Sequence, residues 1–213
     1  YFTNFFYTTI YRMYLEKTIL AIVPARSGSK GIIDKNMKQL SGVSLIGRAG
    51  ICLNHLEWID AKVISTDSKS YIKEGQLYDL DAPFIRPKSL SGDSANAVDT
   101  IIHALLESEK SYNIKFDIVL ILEPTSPFRR PEDVENTLKE MIVNDGDSSV
   151  CVCPLNTKYH PLKALQIISG KLSHYDQLGE NITGRQQLDQ LFIRNGICYA
   201  VSRNYLLKHK SIF

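Results

Sequence analysis

The chain has 213 residues, 44% of them hydrophobic and 23% charged, with a formal net charge of +2. That length builds one sizeable hydrophobic core and is too short for two comfortable ones. The near-neutral balance gives no global drive toward nucleic acid or an anionic membrane, so any recognition of anions must come from local clusters of cations.

The chain opens on Tyr1 to Tyr14, a stretch crowded with aromatics and threonines. It is too short and too polar to span a bilayer, and it lacks the charged start and long apolar core of a secretory signal. An upstream extension is the reading preferred here; a membrane-surface anchor is the alternative. The apolar run Ile19–Pro24 then reads as a buried strand. It stops at Pro24 and opens into Ala25-Arg26-Ser27-Gly28-Ser29-Lys30-Gly31. Glycines let a backbone come close to a ligand, and successive N–H groups in such a loop favour anions. Arg26 adds a planar fork of donors and Lys30 a compact charge, which together suit a polyphosphate. A P-loop does not fit, because aligning its lysine with Lys30 puts Pro24 and Ser29 where glycines belong and Gly31 where Ser or Thr belongs. The dinucleotide fingerprint also fails, since Arg26 stands where its first glycine should be. An ordinary basic βα turn remains the bland alternative.

Further along, apolar runs alternate with helical segments. Strands are predicted at Ala61–Thr66, Asp81–Ile85, Asp117–Leu122 and Ser149–Cys153, and helices at Ser44–Leu56, Ser68–Tyr78, Ala97–Glu109 and Pro131–Asn144. Pro131 with Glu132 and Asp133 is a helix start, and Asn144-Asp145-Gly146 a stop. The alternation predicts an α/β sheet with helices on both faces. Between Asn156 and Gly184 the periodicity weakens around His160-Pro161, Gly170 and Gly179, leaving a strand-rich excursion. Ile193–Val201 resumes as a strand and Arg203–Lys210 as a helix. The four cysteines are too few for a disulfide scaffold and lack the second pair that zinc would need. Buried, reduced thiols are expected.

Several blocks together carry a family resemblance: Ala25-Arg26-Ser27-Gly28-Ser29-Lys30-Gly31 with Lys35-Asn36, then Ser65-Thr66-Asp67, Arg86-Pro87 with Leu90-Ser91 and Asp93, and Glu123-Pro124-Thr125-Ser126-Pro127-Phe128-Arg129. His160-Pro161-Leu162-Lys163, Arg185-Gln186-Gln187-Leu188 and Arg194-Asn195-Gly196-Ile197-Cys198-Tyr199 follow in the same order. The chain resembles the acylneuraminate cytidylyltransferases, or CMP-sialic acid synthetases, over about residues 18 to 205. Met13 stands at about the place where such proteins begin, so residues 1 to 17 are expected to be an extension and 18 to 213 the functional domain.

The resemblance implies a Rossmann-like sheet whose ligands sit beyond the carboxyl ends of the strands. It implies transfer of CMP from CTP to a nine-carbon 2-keto acid sugar, with pyrophosphate leaving. Ala25, Arg26, Lys30, Asn36 and Arg86 would then contact the nucleotide. Asn36, which can both donate and accept, suits a ribose hydroxyl or the base edge, and is otherwise a turn or cap residue. Arg86 corresponds to the arginine that reads cytosine; an exposed strand-end arginine is its bland reading. Glu123 stands where many relatives carry a glutamine against the acyl sugar, and an ionised glutamate cannot donate, which leaves the sugar open.

Arg185 matches an arginine that approaches the phosphate and the sugar carboxylate, and with Arg26 and Lys30 it would carry the catalysis. Arg194, Asn195 and Tyr199 would line the sugar side, or else be ordinary strand residues. Lys163 would reach across a homodimer interface formed by residues 156 to 184. Magnesium is the expected cofactor, but the family's D-x-D carboxylates lie beyond the position of Phe213, so an incomplete, poorly active chain is expected, and a nucleotide-binding protein without catalysis is the rival. Sialic acid or a close relative such as legionaminic acid is the acceptor the resemblance implies, and Kdo cytidylyltransferase is a neighbouring reading, disfavoured because the Arg185-Gln186-Gln187 and Asn195-Gly196 blocks match the sialic branch better. A cytoplasmic enzyme with no nucleic-acid or membrane partner is the remaining expectation.

Overall fold

In the computed structural model, which describes residues 16–213, the elements run β1 (Ile19–Pro24), β2 (Gln39–Leu40), β3 (Val43–Ser44), α1 (Leu45–Asn54), β4 (Ala61–Ser65), α2 (Lys69–Gln76) and α3 (Ala97–Tyr112). They continue through β5 (Ile118–Ile121), α4 (Pro131–Val143), β6 (Ser148–Pro154), β7 (Leu165–Ile168), β8 (Lys171–His174), β9 (Phe192–Ser202) and α5 (Arg203–His209). The readings made for Tyr1 to Tyr14 lie outside the described residues.

The main sheet has the order β4-β1-β5-β9-β6. β1 pairs in parallel with both β4 and β5, and β9 runs antiparallel to β5. Successive strand side chains point to opposite faces, and β1 uses both. Ile19, Ala21 and Val23 join Ile46, Ala49 and Leu53 of α1 and Val134 and Leu138 of α4 in one apolar cluster. Leu20 and Ile22 join Ile101, Ala104 and Leu105 of α3 and Leu206 of α5 in a second. Each such Leu or Ile contributes about 1.5–3 kcal/mol by leaving water. The expected α/β sheet with helices on both faces is what forms.

The helices begin where side chains satisfy their first amides. Ser44 Oγ accepts from Gly47 N–H at 2.9 Å, Asn96 Oδ1 from Val98 N–H at 2.8 Å, and Ser202 Oγ from Tyr205 N–H at 3.2 Å. Pro131 opens α4, and Asp133 accepts from Arg130 N–H at 3.1 Å. α4 ends at Val143, just before Asp145 adopts φ 48.

The strand predicted over Asp81–Ile85 does not form. Only Asp81 bridges to Val63; its N–H donates to Lys62 O and its carbonyl accepts from Ile64 N–H, both at 2.8 Å. Pro83 and Pro87 have no N–H to give to a ladder. The chain runs on irregularly until Arg86 N–H donates to Thr66 O at 2.9 Å, which fixes Arg86 beside the end of β4. The thiols also divide. Cys52 and Cys198 are buried, and burial pushes them up to about 11 and about 12, so both are unreactive at neutral pH. Cys151 and Cys153 are only half-buried, because β6 lies at the edge of the sheet. No helix among the described residues is long and apolar enough to cross a membrane.

Among the described residues, those up to Cys151 together with Gly196–Phe213 form one compact unit, and Val152–Asn195 form another. In the second, β7 and β8 make an antiparallel hairpin from Leu165↔His174 to Ile168↔Lys171. Ser169 and Gly170 close it with φ 50 and 78, the positive values a tight two-residue turn requires. Gly170, which breaks the sequence pattern, is therefore a hairpin turn. Short 3-10 turns carry Pro161–Lys163 and Arg185–Gln187.

Candidate active site

The loop that leaves β1 is tied down at several points. Ala25 is fully buried and its N–H donates to Ser65 O at 2.9 Å. Ser27 donates twice to Asp67, N–H to Oδ1 at 2.8 Å and hydroxyl to Oδ2 at 2.7 Å. The Arg26 carbonyl accepts from Asn36 Nδ2 at 3.2 Å, and Tyr71, a core residue, donates its hydroxyl to Asp34 Oδ1 at 3.1 Å. Gly28 sits at φ +72, where a side chain would be strained, and an added Cβ there would meet nothing within 4 Å. Part of the loop's N–H inventory is thus already used internally. The cations Arg26 and Lys30 are what it presents.

Those cations converge on one carboxylate. Arg26 Nη2 lies 2.9 Å from Asp93 Oδ1, and Lys30 Nζ lies 2.5 Å from Asp93 Oδ2. Hydrogen bonds from Lys30 and then Arg26 hold the Asp93 carboxyl below the usual carboxylate range. Arg86 stands apart from them in one respect. It is only 4% exposed, and its Nε and Nη2 are buried without a hydrogen-bond partner. Burial pushes its guanidinium down, the negative charge of Asp67 holds it up, and Arg26 pushes it down further. The bland alternative of an exposed strand-end arginine is not what forms: this is a buried fork with unused donors.

At the end of β5, Arg129 gathers three carbonyls. Its Nε donates to Ile197 O at 2.5 Å, and its Nη2 to Glu123 O at 2.6 Å and Gly196 O at 3.1 Å. The guanidinium is buried, which pushes it below its ordinary value. Arg129 thereby fixes Glu123 against Gly196, whose φ is +70 and whose position a Cβ would fill at 2.9 Å from Glu123 Oε2. Thr125 and Ser126 belong to the turn here; Ser126 N–H donates to Glu123 O at 3.2 Å.

The first unit thus brings Ala25, Arg26, Lys30, Asn36 and Arg86 to one end of β1 and β4, with Glu123 at the same end of β5. Tyr199 is in this unit too, but its ring is buried in the second apolar cluster and stacks on Phe213 with centroids 6.5 Å apart. That is the strand-residue reading, and the sugar-lining role gains no support. Lys163, Arg185, Arg194 and Asn195 belong to the second unit. Lys163 and Arg185 are exposed on 3-10 turns, and Gln187 Oε1 braces the latter by accepting from Thr183 N–H at 2.8 Å and Gly184 N–H at 2.9 Å.

Sequence reasoning gave no role to Asp67, Asp93 or Arg129. Asp67 lies just beyond the end of β4, beside the loop-bearing strand, which is a usable signal; Arg129 has none, since its carbonyl partners on β9 lie 67 and 68 residues away. Among the described residues no group of three or more His, Cys, Asp or Glu side chains could hold a metal ion. Asp67 and Asp93 are engaged by Ser27 and by the two cations, so the residues present do not fit a magnesium ion and no step below runs through one.

A mixed α/β sheet with a cationic loop and a buried arginine holding unused donors at its carboxyl edge is an arrangement that suits a nucleotide. The chain belongs to the cytidylyltransferase family, whose model matches residues 20–175. It is 30% identical over 195 residues to the CMP-N,N'-diacetyllegionaminic acid synthase of Legionella pneumophila, covering 92% of this chain and 82% of that protein. It is 27% identical over 201 residues to the N-acylneuraminate cytidylyltransferase of Escherichia coli, covering 93% of this chain and 46% of that protein. Among solved structures, a CMP:2-keto-3-deoxy-manno-octonic acid synthetase complexed with CTP matches with TM-score 0.66 at 16% identity, covering 91% of this chain and 77% of that one. At that identity the likeness concerns the fold alone.

Proposed function

We propose that this chain transfers CMP from CTP to the anomeric hydroxyl of an acidic nine-carbon 2-keto sugar of the sialic or legionaminic acid type, releasing pyrophosphate. The observation that carries the reading is Arg86. Two buried donors left without acceptors are costly, and a ligand that supplies acceptors removes that cost. Its planar fork suits the O2/N3 edge of cytosine. Arg26 and Lys30 suit the β- and γ-phosphates, where charge grows as pyrophosphate leaves. The sugar oxygen forms its bond to the α-phosphorus while the bond to the β-phosphate oxygen breaks, and the hydroxyl proton passes to solvent. The names of the relatives support the sugar class.

Within this reading Arg185 takes the sugar carboxylate as a bidentate partner. Glu123 accepts from donors on the sugar's substituents, and Lys163, Arg194 and Asn195 serve the sugar and phosphate side. A homodimer is supported by Leu165, Ile167, Ile168 and Leu172, apolar side chains left exposed on the β7–β8 hairpin. A CTP-consuming synthesis of this kind belongs in the cytoplasm.

Calorimetry with CTP, followed by an assay of pyrophosphate release with and without N-acetylneuraminic or legionaminic acid, tests the proposal. Binding of CTP and sugar-dependent release are expected. CTP binding with no release for any acidic sugar would mark a nucleotide-binding protein without catalysis. Absence of CTP binding would remove the reading altogether.

A further inference from the structure

The two carboxylates beside the loop are held in different ways. Asp67 accepts from the backbone and hydroxyl of Ser27, so its contact is built into the loop's own conformation. Among the described residues, the Asp93 carboxylate pairs with the far ends of two side chains, one oxygen to Arg26 and the other to Lys30. The Asp93 side chain is 46% exposed and that of Lys30 is 84% exposed. Gly92 beside it has open space around its α-carbon. The segment is anchored on either side instead: Leu90 O accepts from Thr100 Oγ1 at 3.3 Å, and Asn96 caps α3.

A carboxylate that spreads its two oxygens over an arginine and a lysine occupies the positions a phosphate group would take. Exposed ion pairs of this kind contribute little, so a more highly charged anion displaces them readily. We propose that Asp93 is a resident counter-anion of the Arg26–Lys30 receptor, holding the two cations together in the free protein and yielding them to an incoming polyphosphate. This rests on the reading of that loop as a polyphosphate site. The low position of the Asp93 carboxyl agrees with it, since the group stays charged, and in place, throughout the neutral range.

The competition has a sign that a positioning role does not share. Replacing Asp93 by Asn keeps the side chain's shape and removes the competing charge. Inorganic tripolyphosphate is the direct probe because it has no base to read, and CTP is titrated alongside. Asp93→Asn is expected to bind tripolyphosphate about three- to tenfold more tightly than wild type at low salt, the gain shrinking toward nothing at 1 M salt. Asp93→Ser, which also loses the hydrogen-bonding amide, is expected to do the same.

Unchanged or weakened tripolyphosphate binding in both variants overturns the inference, and if CTP still binds, the proposed function stands without it. Tighter tripolyphosphate binding with no CTP binding in any form supports the counter-anion and removes the cytidine reading. Binding of neither ligand by wild type or variants overturns both.

Discussion

On β1 and β5 every side chain from Ile19 to Val23 and from Ile118 to Ile121 is buried, whereas on the β7–β8 hairpin Leu165, Ile167, Ile168 and Leu172 all stand open. Both regions are strands rich in branched apolar residues. The difference lies in what covers them: helices close both faces of the main sheet, while two strands alone have too little surface to bury their own. The first unit therefore completes its own core. The second has apolar surface suited to a second copy of the chain. The polar groups follow the same division, for the first unit surrounds Arg129 with carbonyls, whereas the second leaves Lys163 and Arg185 at the surface.

The hardest blow to the self-contained unit is Arg129→Met. It leaves the carbonyls of Glu123, Gly196 and Ile197 without their donor in a buried place. A loss of about 3–5 kcal/mol in urea unfolding is expected. Arg129→Lys recovers only part, because a point charge cannot reproduce the fork. If Arg129→Met unfolds like wild type, the unit is held by its apolar clusters alone. Arg86→Met sharpens the contrast from the other side. Stability should stay level or rise by up to about 2 kcal/mol, since a buried guanidinium with two unsatisfied donors is removed. CTP affinity should fall about 10- to 100-fold. A drop in melting temperature with CTP affinity intact would make Arg86 structural.

These two arginines also mark where the sequence was readable. β1 and its loop could be read because the apolar run, the stop at Pro24 and the cations are contiguous. The start of α4 could be read from Pro131 with Glu132 and Asp133 for the same reason. Asp81–Ile85 was misread because its apolar pattern outweighed Pro83, whose missing N–H breaks the ladder. Arg129 sits inside a recognisable block, yet its role depends on β9 arriving beside β5, a pairing no local pattern encodes. The same holds for Asp93, whose charge was visible but whose partners were not. Tyr199 shows the converse: a matched block suggested a ligand contact, and alternation along β9 turned the ring into the core.

Ile167→Asp combined with Leu172→Asp tests the open unit. Sedimentation is expected to show a shift from dimer to monomer, while CTP affinity changes less than about twofold, because both sites are surface positions in their own unit. A dimer that survives both charges would place the interface elsewhere.

The smallest effect concerns Asp67 and acid. Burial alone would raise its carboxyl, but the hydrogen bonds from Ser27 and the charge of Arg86 outweigh burial and hold it below the ordinary carboxylate value. A group depressed on folding stabilises the native state above its unfolded value, about pH 3.9, and loses that contribution as pH falls through the folded value. Asp67→Asn keeps an acceptor for the Ser27 amide but discards the charge. Melting curves of the variant and wild type should therefore be offset by a constant amount from pH 8 down to about 5 and converge below about 4. The offset itself should be modest, since the carboxylate is partly solvated. Parallel curves down to the lowest pH would mean that Asp67 holds the loop by shape alone, and that the anchored and displaceable carboxylates differ in position but not in charge.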